Sequence, residues 1–434
     1  MRRITERSAR VGVIGLGYVG LPLAVTAARA GYPVTGFDVD ADKMVLLAAG
    51  TSYIEAVSAE DLAAVAGRFD WTTDFDRLSD CAVIVICVPT PLTAHRTPDL
   101  GYVERTARQI AQRLQPQTLV ILESTTFPGT TRDILGPILA ESGLGLGVDV
   151  FTAFSPERED PGNSQYRTKT IPKIVAGDGP EAGALVEAFY ANVVDRVVRV
   201  SSTATAEAVK ITENIFRSVN IALVNELKLI FERMDIDIWE VVDAAATKPF
   251  GYMPFYPGPG LGGHCIPIDP FYLTWRAREL GLSTRFIELA GEINTAMPEH
   301  VVGRLREVLD RTVGRGLNGA RILLAGIAYK KNVSDMRESP AMRLLALLDQ
   351  AGAEVAYLDP LVPEIPVTRD YARYAGRRSL GPQDVAEQPF DAILIATDHD
   401  AMDYALFARK GCPVLDSRNA MARRNLPMTH VTKV

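Results

Sequence analysis

The sequence has few cysteines, no run of five or more like charges and no long apolar stretch. Its four cysteines among 434 residues are scattered and form no CxxC pair, so neither a disulfide framework nor a cysteine-rich metal site is expected. With 46 basic and 53 acidic residues the formal net charge is −7, which disfavours a polybasic protein that binds nucleic acid or a membrane surface. No apolar run reaches the ~18 residues that a membrane-spanning helix needs. We therefore expect a globular protein of the reducing cytoplasm, without a signal peptide.

What the sequence does contain is a repeated alternation of short apolar runs with helical patterns. In the first half, the apolar runs stand at 11–15, 33–37, 82–88, 119–123 and 150–154. In the second half, they stand at 322–327, 354–358, 392–396 and 414–415. This alternation is typical of parallel sheets covered by helices on both faces. The predicted fold class is α/β, with two doubly wound Rossmann-like domains joined by a long central helix.

The region between the two halves predicts that central helix. Residues 204–233 carry apolar side chains at helical spacing without glycine or proline, a pattern that indicates one long helix. A second helical pattern runs from about 271 to 309, and Gly314, Gly316 and Gly319 mark a linker after it. The expected segments are a dinucleotide-binding domain at 1–202, a central helical and dimerisation region at 203–313 and a second Rossmann-like domain at 314–434.

The clearest motif is a glycine-rich turn between the first apolar run and the first helix. Gly15, Gly17 and Gly20 form GxGxxG, and Asp38 ends the next apolar run. The first glycine permits a tight turn, the second lets the backbone approach a pyrophosphate, and the third lets helix and strand pack closely. Asp38 would bind an adenosine ribose and repel a 2′-phosphate. The motif therefore predicts NAD rather than NADP, with a purely structural turn as the alternative.

Further cofactor contacts are expected where strands end, because doubly wound folds bind ligands at the carboxyl edge of the sheet. Lys43, shortly after Asp38, would either assist at the ribose or be a solvated charge. The predicted cofactor contacts beyond the glycines and Asp38 are Tyr18, Val19, Lys43, Val88, Pro89, Thr90 and Glu123.

A second unusual segment is the glycine-rich loop that precedes Cys265. Glycine lets the backbone come close to a ligand, and a nucleophilic thiolate needs an electropositive neighbour. Lys210 and Asn214 are spaced four apart on the predicted helix and are candidates for that neighbourhood. A nucleophilic cysteine beside NAD permits oxidation of an aldehyde to an acid through a thiohemiacetal and a thioester. Taken singly, each of these side chains is equally consistent with an ordinary surface or loop residue.

The chain resembles the UDP-glucose/GDP-mannose dehydrogenase family over almost its whole length. The matching motifs are GLGYVGLP at 15–22, CVPTP at 87–91, ESTTFPGTT at 123–131, SPEREDPGN at 155–163, the helix at 206–226, PGPGLGGHCIPIDP at 257–270, AYKKNVSDMRESP at 328–340 and LDSRN at 415–419. Members of this family oxidise the C-6 alcohol of a nucleotide sugar to a carboxylate with two NAD. The resemblance implies a UDP-sugar substrate held by the last segment, a homodimer, no metal, and a product used in polysaccharide biosynthesis.

The resemblance also implies catalytic roles at matching positions. Cys265 corresponds to the nucleophile, and Lys210 and Asn214 to the pair that stabilises the developing oxyanion. Asp269 matches a carboxylate that helps to activate water, and Glu157 matches the acid of the substrate-side loop. Either carboxylate, or both, would polarise the hydrolytic water.

Other matching positions imply contacts around the reacting groups. Thr125 matches a threonine that positions a catalytic water, and Lys330 resembles a lysine that reaches the substrate. Arg337 resembles an arginine near the cofactor, and Arg418 is a further contact to the nucleotide part of the substrate. The remaining expected substrate contacts are Arg158, Tyr256 and Gly262.

Two positions bear on which sugar is oxidised. UDP-glucose members of the family commonly carry a lysine directly before the aspartate of the cysteine loop and an arginine sixteen residues before the cysteine, where this chain has Ile268 and Pro249. The loop instead resembles the branch acting on UDP-N-acetylhexosamines, especially UDP-N-acetylglucosamine. UDP-N-acetylgalactosamine, UDP-N-acetylmannosamine and UDP-glucose stay open as alternatives.

Two other classes of protein compete with this interpretation. The 3-hydroxyacid dehydrogenases also present a lysine and an asparagine four apart, but they need neither a cysteine loop nor a second doubly wound domain. A non-catalytic nucleotide-sugar sensor would retain the glycine turn and lose the nucleophile. The presence of Cys265, Lys210, Asn214 and Asp269 disfavours the sensor.

Overall fold

The computed structural model describes residues 1–93, 97–158, 168–263, 266–368 and 370–434. Two compact units account for these residues. One consists of Met1–Asn214 with Phe271–Ser283, and the other of Ile215–Pro270 with Thr284–Val434. The predicted division into three segments at 202 and 313 stays a prediction.

The first unit contains a sheet of eight strands within its described residues, in the order β3-β2-β1-β4-β5-β6-β7-β8. The strands are β1 (Val11–Ile14), β2 (Val34–Phe37), β3 (Phe69–Thr72), β4 (Val83–Ile86), β5 (Thr118–Leu122), β6 (Val150–Phe154), β7 (Lys173–Gly177) and β8 (Val197–Arg199). Strands β1 to β6 pair in parallel, and every residue of β1, β2, β4 and β5 is buried. Burial on both faces is expected when helices cover a parallel sheet. This strand order confirms the first doubly wound domain.

One pairing departs from the all-parallel prediction. Strand β7 runs antiparallel to β6, with Ala153 opposite Gly177. A side chain at Gly177 would lie 2.0 Å from the backbone nitrogen of Gly183, so the absence of a side chain lets the following helix pack directly on this strand. The polar and weakly apolar sequences of β3, β7 and β8 gave no strand prediction.

Helices fill the connections between strands in both units. They are α1 (Arg2–Thr5), α2 (Gly20–Arg29), α3 (Ala41–Ala48), α4 (Ala59–Ala63), α5 (Gly101–Ala111), α6 (Gly136–Ala140), α7 (Pro180–Val193), α8 (Thr203–Arg233), α9 (Ile238–Ala246), α10 (Asp269–Glu279), α11 (Arg285–Thr312), α12 (Pro340–Gln350), α13 (Pro382–Glu387), α14 (Tyr404–Arg409) and α15 (Ala420–Arg423). Short irregular helical turns stand at Phe75–Asp80, Thr131–Leu135 and Ala372–Tyr374.

The long helix α8 connects the two units and confirms the prediction made for residues 204–233. At its start, the Ser202 hydroxyl accepts the backbone N–H of Thr205 at 3.1 Å, as a capping serine does. At its end, Asp235 adopts a left-handed conformation with φ 56°, and Ile236 N donates to Phe231 O at 2.9 Å. A left-handed residue with this backward bond terminates a helix.

The helical stretch predicted from about 271 to 309 is divided between two helices. The structure has two helices, α10 and α11, which are separated at Gly281. Gly281 has φ +73°, and Leu282 N donates back to Ala277 O at 2.9 Å. A glycine in this conformation ends α10 because a side chain would be strained there.

The second unit contains a parallel sheet of five strands within its described residues, in the order β10-β9-β11-β12-β13. The strands are β9 (Arg321–Ala325), β10 (Glu354–Leu358), β11 (Ala392–Ile395), β12 (Val414–Asp416) and β13 (Val431–Lys433). Ser339 caps the start of helix α12, because its hydroxyl accepts the backbone N–H of Ala341. The second doubly wound domain is confirmed, and β13 is a strand that the sequence did not predict.

Candidate functional site

The glycine turn after β1 has a separate physical reason for each glycine. Gly15 has φ +89°, and a Cβ there would lie 2.6 Å from the carbonyl oxygen of Cys87. A Cβ at Gly20 would lie 1.9 Å from the carbonyl oxygen of Gly15. A Cβ at Gly17 would meet no atom of the described residues within 4 Å. The first and third glycines therefore allow close packing, whereas Gly17 borders open space that suits an approaching pyrophosphate.

Asp38 is held at the end of β2 by backbone and side-chain donors. Its Oδ2 accepts the backbone N–H of Leu16 at 2.8 Å and the ammonium of Lys43 at 2.7 Å. Its Oδ1 accepts the backbone N–H of Asp40 at 3.0 Å. The carboxylate is thus tied directly to the glycine turn, and Lys43 is its ion-pair partner. Asp38 and the open space at Gly17 together fit an adenosine ribose and a pyrophosphate, the parts of NAD that this turn binds in doubly wound folds.

The carboxyl ends of β4 and β5 place further predicted residues beside the turn's strand. Thr90 is buried, and its carbonyl accepts the hydroxyl of the fully buried Tyr272 at 2.6 Å. The Ser124 hydroxyl donates to Val88 O at 2.7 Å. Tyr18 and Pro89 are exposed, and Thr125 is half-buried. These bonds fix the two strand ends to each other and to α10.

Glu123 lies in a buried cluster that the sequence did not predict. Its carboxylate accepts the ammonium of Lys173 at 2.9 Å and the hydroxyl of Tyr190. Burial, reinforced by the Glu123 charge, raises the pKa of Tyr190 well above its ordinary value. A small open pocket beside this cluster brings predicted cofactor and catalytic residues together. It is lined by Val19, Leu23, Glu123, Glu157, Arg158, Thr168, Ile171 and Lys173.

Lys210 and Asn214 lie on one face of α8 and are almost completely buried, with 5% and 7% of their surfaces exposed. The Lys210 ammonium lies 3.2 Å from Oε2 of Glu157, which follows β6. Arg158, the next residue, pairs with Glu213 of α8 at 2.6 Å and donates to Pro172 O at 2.7 Å. A buried ammonium beside a carboxylate and an amide can stabilise negative charge on a reacting oxygen and transfer a proton. The first unit therefore brings together three predicted catalytic residues.

In the second unit, the glycine loop packs against the segment that contains Lys330 and Arg337. Gly263 N donates to Arg337 O at 3.1 Å. A Cβ at Gly262 would lie 2.8 Å from both Tyr329 Cβ and Pro340 Cδ. Gly262 and Gly263 therefore let the loop pack closely against Tyr329 and Pro340 of the same unit. This packing holds Tyr329, and with it the neighbouring half-buried Lys330, beside the loop.

The other predicted substrate contacts of the second unit also lie near this loop. The Tyr256 ring stacks on Trp239 with centroids 5.4 Å apart, and its hydroxyl donates to Asp243 at 2.7 Å. Arg423 lies 4.5 Å from the Tyr256 ring centroid. Arg418 Nε lies 3.4 Å from Asp398, and a Cβ at Gly258 would come 2.7 Å from Arg418 Nη1. These contacts gather the loop, β12 and α15 around one surface.

Two further predicted catalytic residues, Cys265 and Asp269, stand four positions apart in the sequence. Asp269 is buried at the start of α10. Cys265 and its neighbour His264 lie outside the described residues. The catalytic, cofactor and substrate roles assigned to individual residues stay predictions.

Sequence reasoning missed four polar residues that support this site. They are Glu207, Lys173, Tyr190 and Tyr272. For Glu207 a signal was present, since it precedes Lys210 by three residues and so shares its helix face. Lys173, Tyr190 and Tyr272 have partners that lie far away in the sequence, so the spacing of residues gives no indication of these contacts.

A doubly wound sheet, a glycine turn tied to an acid and a buried lysine beside a carboxylate define a dinucleotide-dependent oxidoreductase. Three family models specify the class further. They match the NAD binding domain (residues 9–194), the central domain (204–296) and the UDP binding domain (323–423) of one family. The chain belongs to the UDP-glucose/GDP-mannose dehydrogenase family. It is an NAD-dependent UDP-sugar dehydrogenase, which confirms the predicted enzyme class and cofactor.

Individual relatives cover nearly the whole chain. It is 36% identical to a UDP-N-acetyl-D-glucosamine 6-dehydrogenase of Pseudomonas aeruginosa, over 91% of each protein. It is 35% identical to a UDP-N-acetyl-D-mannosamine dehydrogenase of Pyrococcus horikoshii, over 90% of this chain and 89% of the relative. A solved structure of a UDP-D-ManNAc dehydrogenase from Pyrococcus horikoshii superposes with a TM-score of 0.87 at 32% identity. That match covers 98% of this chain and 99% of the other.

The described residues contain neither a membrane-spanning helix nor a metal-binding cluster. None of the helices that these residues form combines the length and apolar character needed to cross a membrane. No group of three or more histidine, cysteine, aspartate or glutamate side chains within the same residues is arranged to hold a metal ion.

Proposed function

We propose that the protein is a UDP-N-acetylglucosamine 6-dehydrogenase that oxidises the C-6 hydroxyl to a carboxylate in two NAD-dependent steps. The observation that carries this proposal is the buried Lys210–Glu157 pair at 3.2 Å, with Asn214 one helical turn away on α8. A lysine held at this depth needs a function or a partner for its charge, and here it has a carboxylate that can also exchange protons.

Each residue has a defined task in the proposed reaction. Lys210 and Asn214 donate hydrogen bonds to the C-6 oxygen as it gains negative charge. When bound, NAD accepts the hydride that leaves C-6 in each oxidation. The Cys265 thiolate adds to the aldehyde carbon and forms a carbon–sulfur bond, and the second oxidation leaves a thioester. Water polarised by Glu157, Asp269 or both then cleaves that bond, releasing the acid and regenerating the thiol.

The preference for an N-acetylated sugar rests on the loop around Cys265. Ile268 is buried and Pro249 is exposed, at positions where UDP-glucose members of the family commonly have a lysine and an arginine. Replacing two cations by uncharged residues removes donors suited to hydroxyl groups. It is compatible with a bulkier acetamido group at C-2. The relatives named above act on UDP-N-acetylglucosamine and UDP-N-acetylmannosamine, which agrees with this class of substrate.

A substrate panel tests the sugar preference. We expect kcat/KM for UDP-N-acetylglucosamine to exceed that for UDP-N-acetylgalactosamine, UDP-N-acetylmannosamine and UDP-glucose by about tenfold or more, which corresponds to about 1.4 kcal/mol of discrimination. A higher value for UDP-glucose would contradict the interpretation of Ile268 and Pro249. A higher kcat/KM for UDP-N-acetylgalactosamine or UDP-N-acetylmannosamine would support a UDP-N-acetylhexosamine as the substrate class. It would contradict UDP-N-acetylglucosamine as the particular sugar.

The cysteine variants test the chemistry independently of the sugar. Cys265→Ala should abolish acid formation, whereas Cys412→Ala, at a half-buried cysteine outside the proposed site, should keep the wild-type rate. Acid formation by Cys265→Ala at the normal rate would favour a one-step dehydrogenase. NAD binding by the wild-type protein without turnover of any UDP-sugar would favour a sensor.

We also propose that the protein is a homodimer in which a second copy covers an apolar stripe on α8. Phe216, Leu223 and Ile230 recur every seven residues and are 49%, 53% and 46% exposed. Such spacing puts the three side chains along one helix face, where exposed apolar area favours association. A cytoplasmic location and a place in polysaccharide biosynthesis stay predictions of the family resemblance.

The dimer is tested by a charge placed in the middle of the stripe. Leu223→Glu should shift the mass measured by light scattering from dimer to monomer, whereas Val148→Glu, at an exposed apolar residue that is not part of α8, should not. A monomeric wild-type protein would contradict the proposal.

A further inference from the structure

Glu207 is a fully buried carboxylate on α8 that the proposed chemistry does not use. Its Oε1 accepts the backbone N–H of Thr131 at 2.8 Å and the Thr131 hydroxyl at 2.6 Å. Its Oε2 accepts the backbone N–H of Gly129 at 2.5 Å. All three donors belong to the segment that leaves the carboxyl end of β5. One side chain therefore satisfies two backbone groups and a hydroxyl that would otherwise be unpaired in the interior.

The position of Glu207 links two parts of the proposed catalytic machinery. The segment that it holds, residues 124–131, begins at the carboxyl end of β5 and contains Thr125. Lys210 lies three residues further along α8, on the same helix face. Movement of the segment relative to α8 would change the distance between Thr125 and Lys210.

A second helix holds the same segment from another direction. Phe127 packs against Trp275 of α10 with ring centroids 4.8 Å apart. Arg276 of α10 lies 3.7 Å from Asp133, just beyond the segment. The apolar packing restrains the segment laterally, while the Glu207 bonds fix its distance from α8.

We propose that Glu207 is a positioning residue: its ionised carboxylate clamps segment 124–131 to α8 and so sets Thr125 relative to Lys210. This inference rests on the proposed roles of Thr125 and Lys210 and does not depend on which UDP-sugar is oxidised. Ionisation matters because a carboxylate accepts at both oxygens, whereas a protonated carboxyl has one weakened acceptor.

The electrostatic surroundings place this ionisation in an accessible pH range. Burial raises the pKa of Glu207 to about 7, partly opposed by its bonds to Thr131 and Gly129. Asp133 faces it and raises the pKa further. Arg132, which pairs with Asp133 at 2.7 Å, and Arg276 are the cations on the packed elements that offset Asp133. On its own helix, Lys210 is the neighbouring cation. Acidification through this range should therefore release the clamp.

Glu207→Gln tests the clamp because it keeps the shape but turns one acceptor into a donor. In hydrogen exchange of the intact chain, the peptide spanning 124–131 should exchange about tenfold faster than in wild type, matching the loss of about 1.4 kcal/mol of local protection. The exchange rates of peptides from the β-sheet should be the same as in wild type. Glu141→Gln, at an exposed glutamate of the same unit, is the matched control and should exchange like wild type.

Kinetics separate positioning from general stability. Glu207→Gln should lower kcat about tenfold with both KM values within about twofold of wild type, since positioning acts on the reaction step. The fall of kcat as the pH drops through about 7 should be present in wild type and absent from the variant. The proposal would be overturned if the peptide spanning 124–131 exchanged in Glu207→Gln at the wild-type rate. It would also be overturned if kcat of the variant still fell as the pH dropped through about 7.

Two milder variants keep the test decisive if Glu207→Gln does not fold. Thr131→Ser keeps the hydroxyl and should behave like wild type, whereas Thr131→Val loses one of the three bonds and should show the same changes at about threefold. Equal exchange rates of the peptide spanning 124–131 in Thr131→Ser and Thr131→Val would contradict the proposed clamp. Because exchange needs no substrate, absence of wild-type turnover on every UDP-sugar would refute the proposed function alone.

Discussion

In both sheets an acid at the end of the second strand in chain order is bonded to the turn that follows the first strand, but the surroundings of the two acids differ. In the first unit, Asp38 at the end of β2 accepts the backbone N–H of Leu16, which follows the left-handed Gly15. In the second, Asp359 at the end of β10 accepts the backbone N–H of Ile327 at 2.7 Å, which follows the left-handed Gly326. Each acid ties the turn after the first strand to the next strand.

The surroundings of the two acids differ. Asp359 also accepts from the backbone N–H groups of Leu361 and Val362 and lies 3.1 Å from Nε2 of the fully buried His399. The additional partners of Asp38 are the backbone N–H of Asp40 and the ammonium of Lys43, whose side chain is 27% exposed. After Gly15 a helix begins within a few residues, whereas after Gly326 the next helix is α12, which starts at Pro340. Only the first turn therefore places a helix N-terminus where a pyrophosphate would bind.

The largest effect should come from removing Asp359, which accepts more buried donors than Asp38 does. Asp359→Ala would leave several buried N–H donors unpaired, so we expect it to lower the free energy of unfolding by about 3 kcal/mol or more. Asp38→Ala should cost less, about 1–2 kcal/mol, because it leaves only the Leu16 N–H fully buried, whereas the Asp40 N–H and the Lys43 ammonium are partly accessible to water. Urea denaturation of both variants checks the contrast. Equal losses would show that the two acids are energetically alike.

The glycines of the first turn should separate folding from cofactor binding. Gly20→Ala would put a Cβ 1.9 Å from the Gly15 carbonyl oxygen, and we expect a loss of about 2–3 kcal/mol in stability from the forced shift. Gly17→Ala meets open space, so it should leave unfolding within about 0.5 kcal/mol of wild type and raise the KM for NAD. Thermal denaturation measures the stability of each variant, and titration with NAD measures its cofactor binding. A destabilised Gly17→Ala protein with normal NAD binding would refute the assignment.

Asp38→Asn tests the predicted contact of Asp38 with the cofactor directly. Loss of a charged acceptor for a ribose hydroxyl should raise the KM for NAD about tenfold or more. Use of NADP should improve, because the repulsion of a 2′-phosphate is removed. Steady-state kinetics with both cofactors decides, and an unchanged ratio of NAD to NADP use would contradict the proposed role.

Acid should weaken the turn that Asp359 holds. Burial tends to raise the pKa of Asp359, but the bonds to His399 and to backbone N–H groups outweigh it and the pKa is lowered. A lowered folded pKa contributes stability above the unfolded value of about 3.9, and this stability is lost as the pH falls through the folded pKa. Unfolding free energy measured below about pH 4 should therefore fall less steeply in Asp359→Ala than in wild type. Identical slopes would exclude this contribution.

The smallest effect is expected at Lys43. Its ion pair with Asp38 is partly exposed, and such pairs contribute about 1 kcal/mol or less. Lys43→Met should therefore raise the KM for NAD about twofold to threefold and leave stability nearly unchanged. A loss as large as that of Asp38→Asn would make Lys43 a principal ligand of the cofactor.

The sequence predicted what depends on local periodicity and missed what depends on distant partners. The apolar runs at 11–15 and 119–123 became buried strands, and residues 204–233 became one helix, because each pattern is complete within its own segment. Strand β3, with the sequence FDWT, has no such pattern. The glycine turn was predictable because its geometry follows from adjacent residues.

The polar clusters show the limit most clearly. Glu123 was predicted as a cofactor contact, but its bonds to Lys173 and Tyr190 join residues 50 and 67 positions apart in the chain. The clamp at Glu207 likewise spans 76 positions to Thr131. Such contacts arise from the order of strands in the sheet, which no single segment specifies.

The number of NADH molecules formed per UDP-N-acetylglucosamine consumed tests the central claim most directly. Double oxidation through Cys265 predicts two NADH and a uronic acid product, with the ratio constant throughout the reaction. One NADH per sugar, with an aldehyde or ketone as the product, would contradict it and make the protein a one-step dehydrogenase.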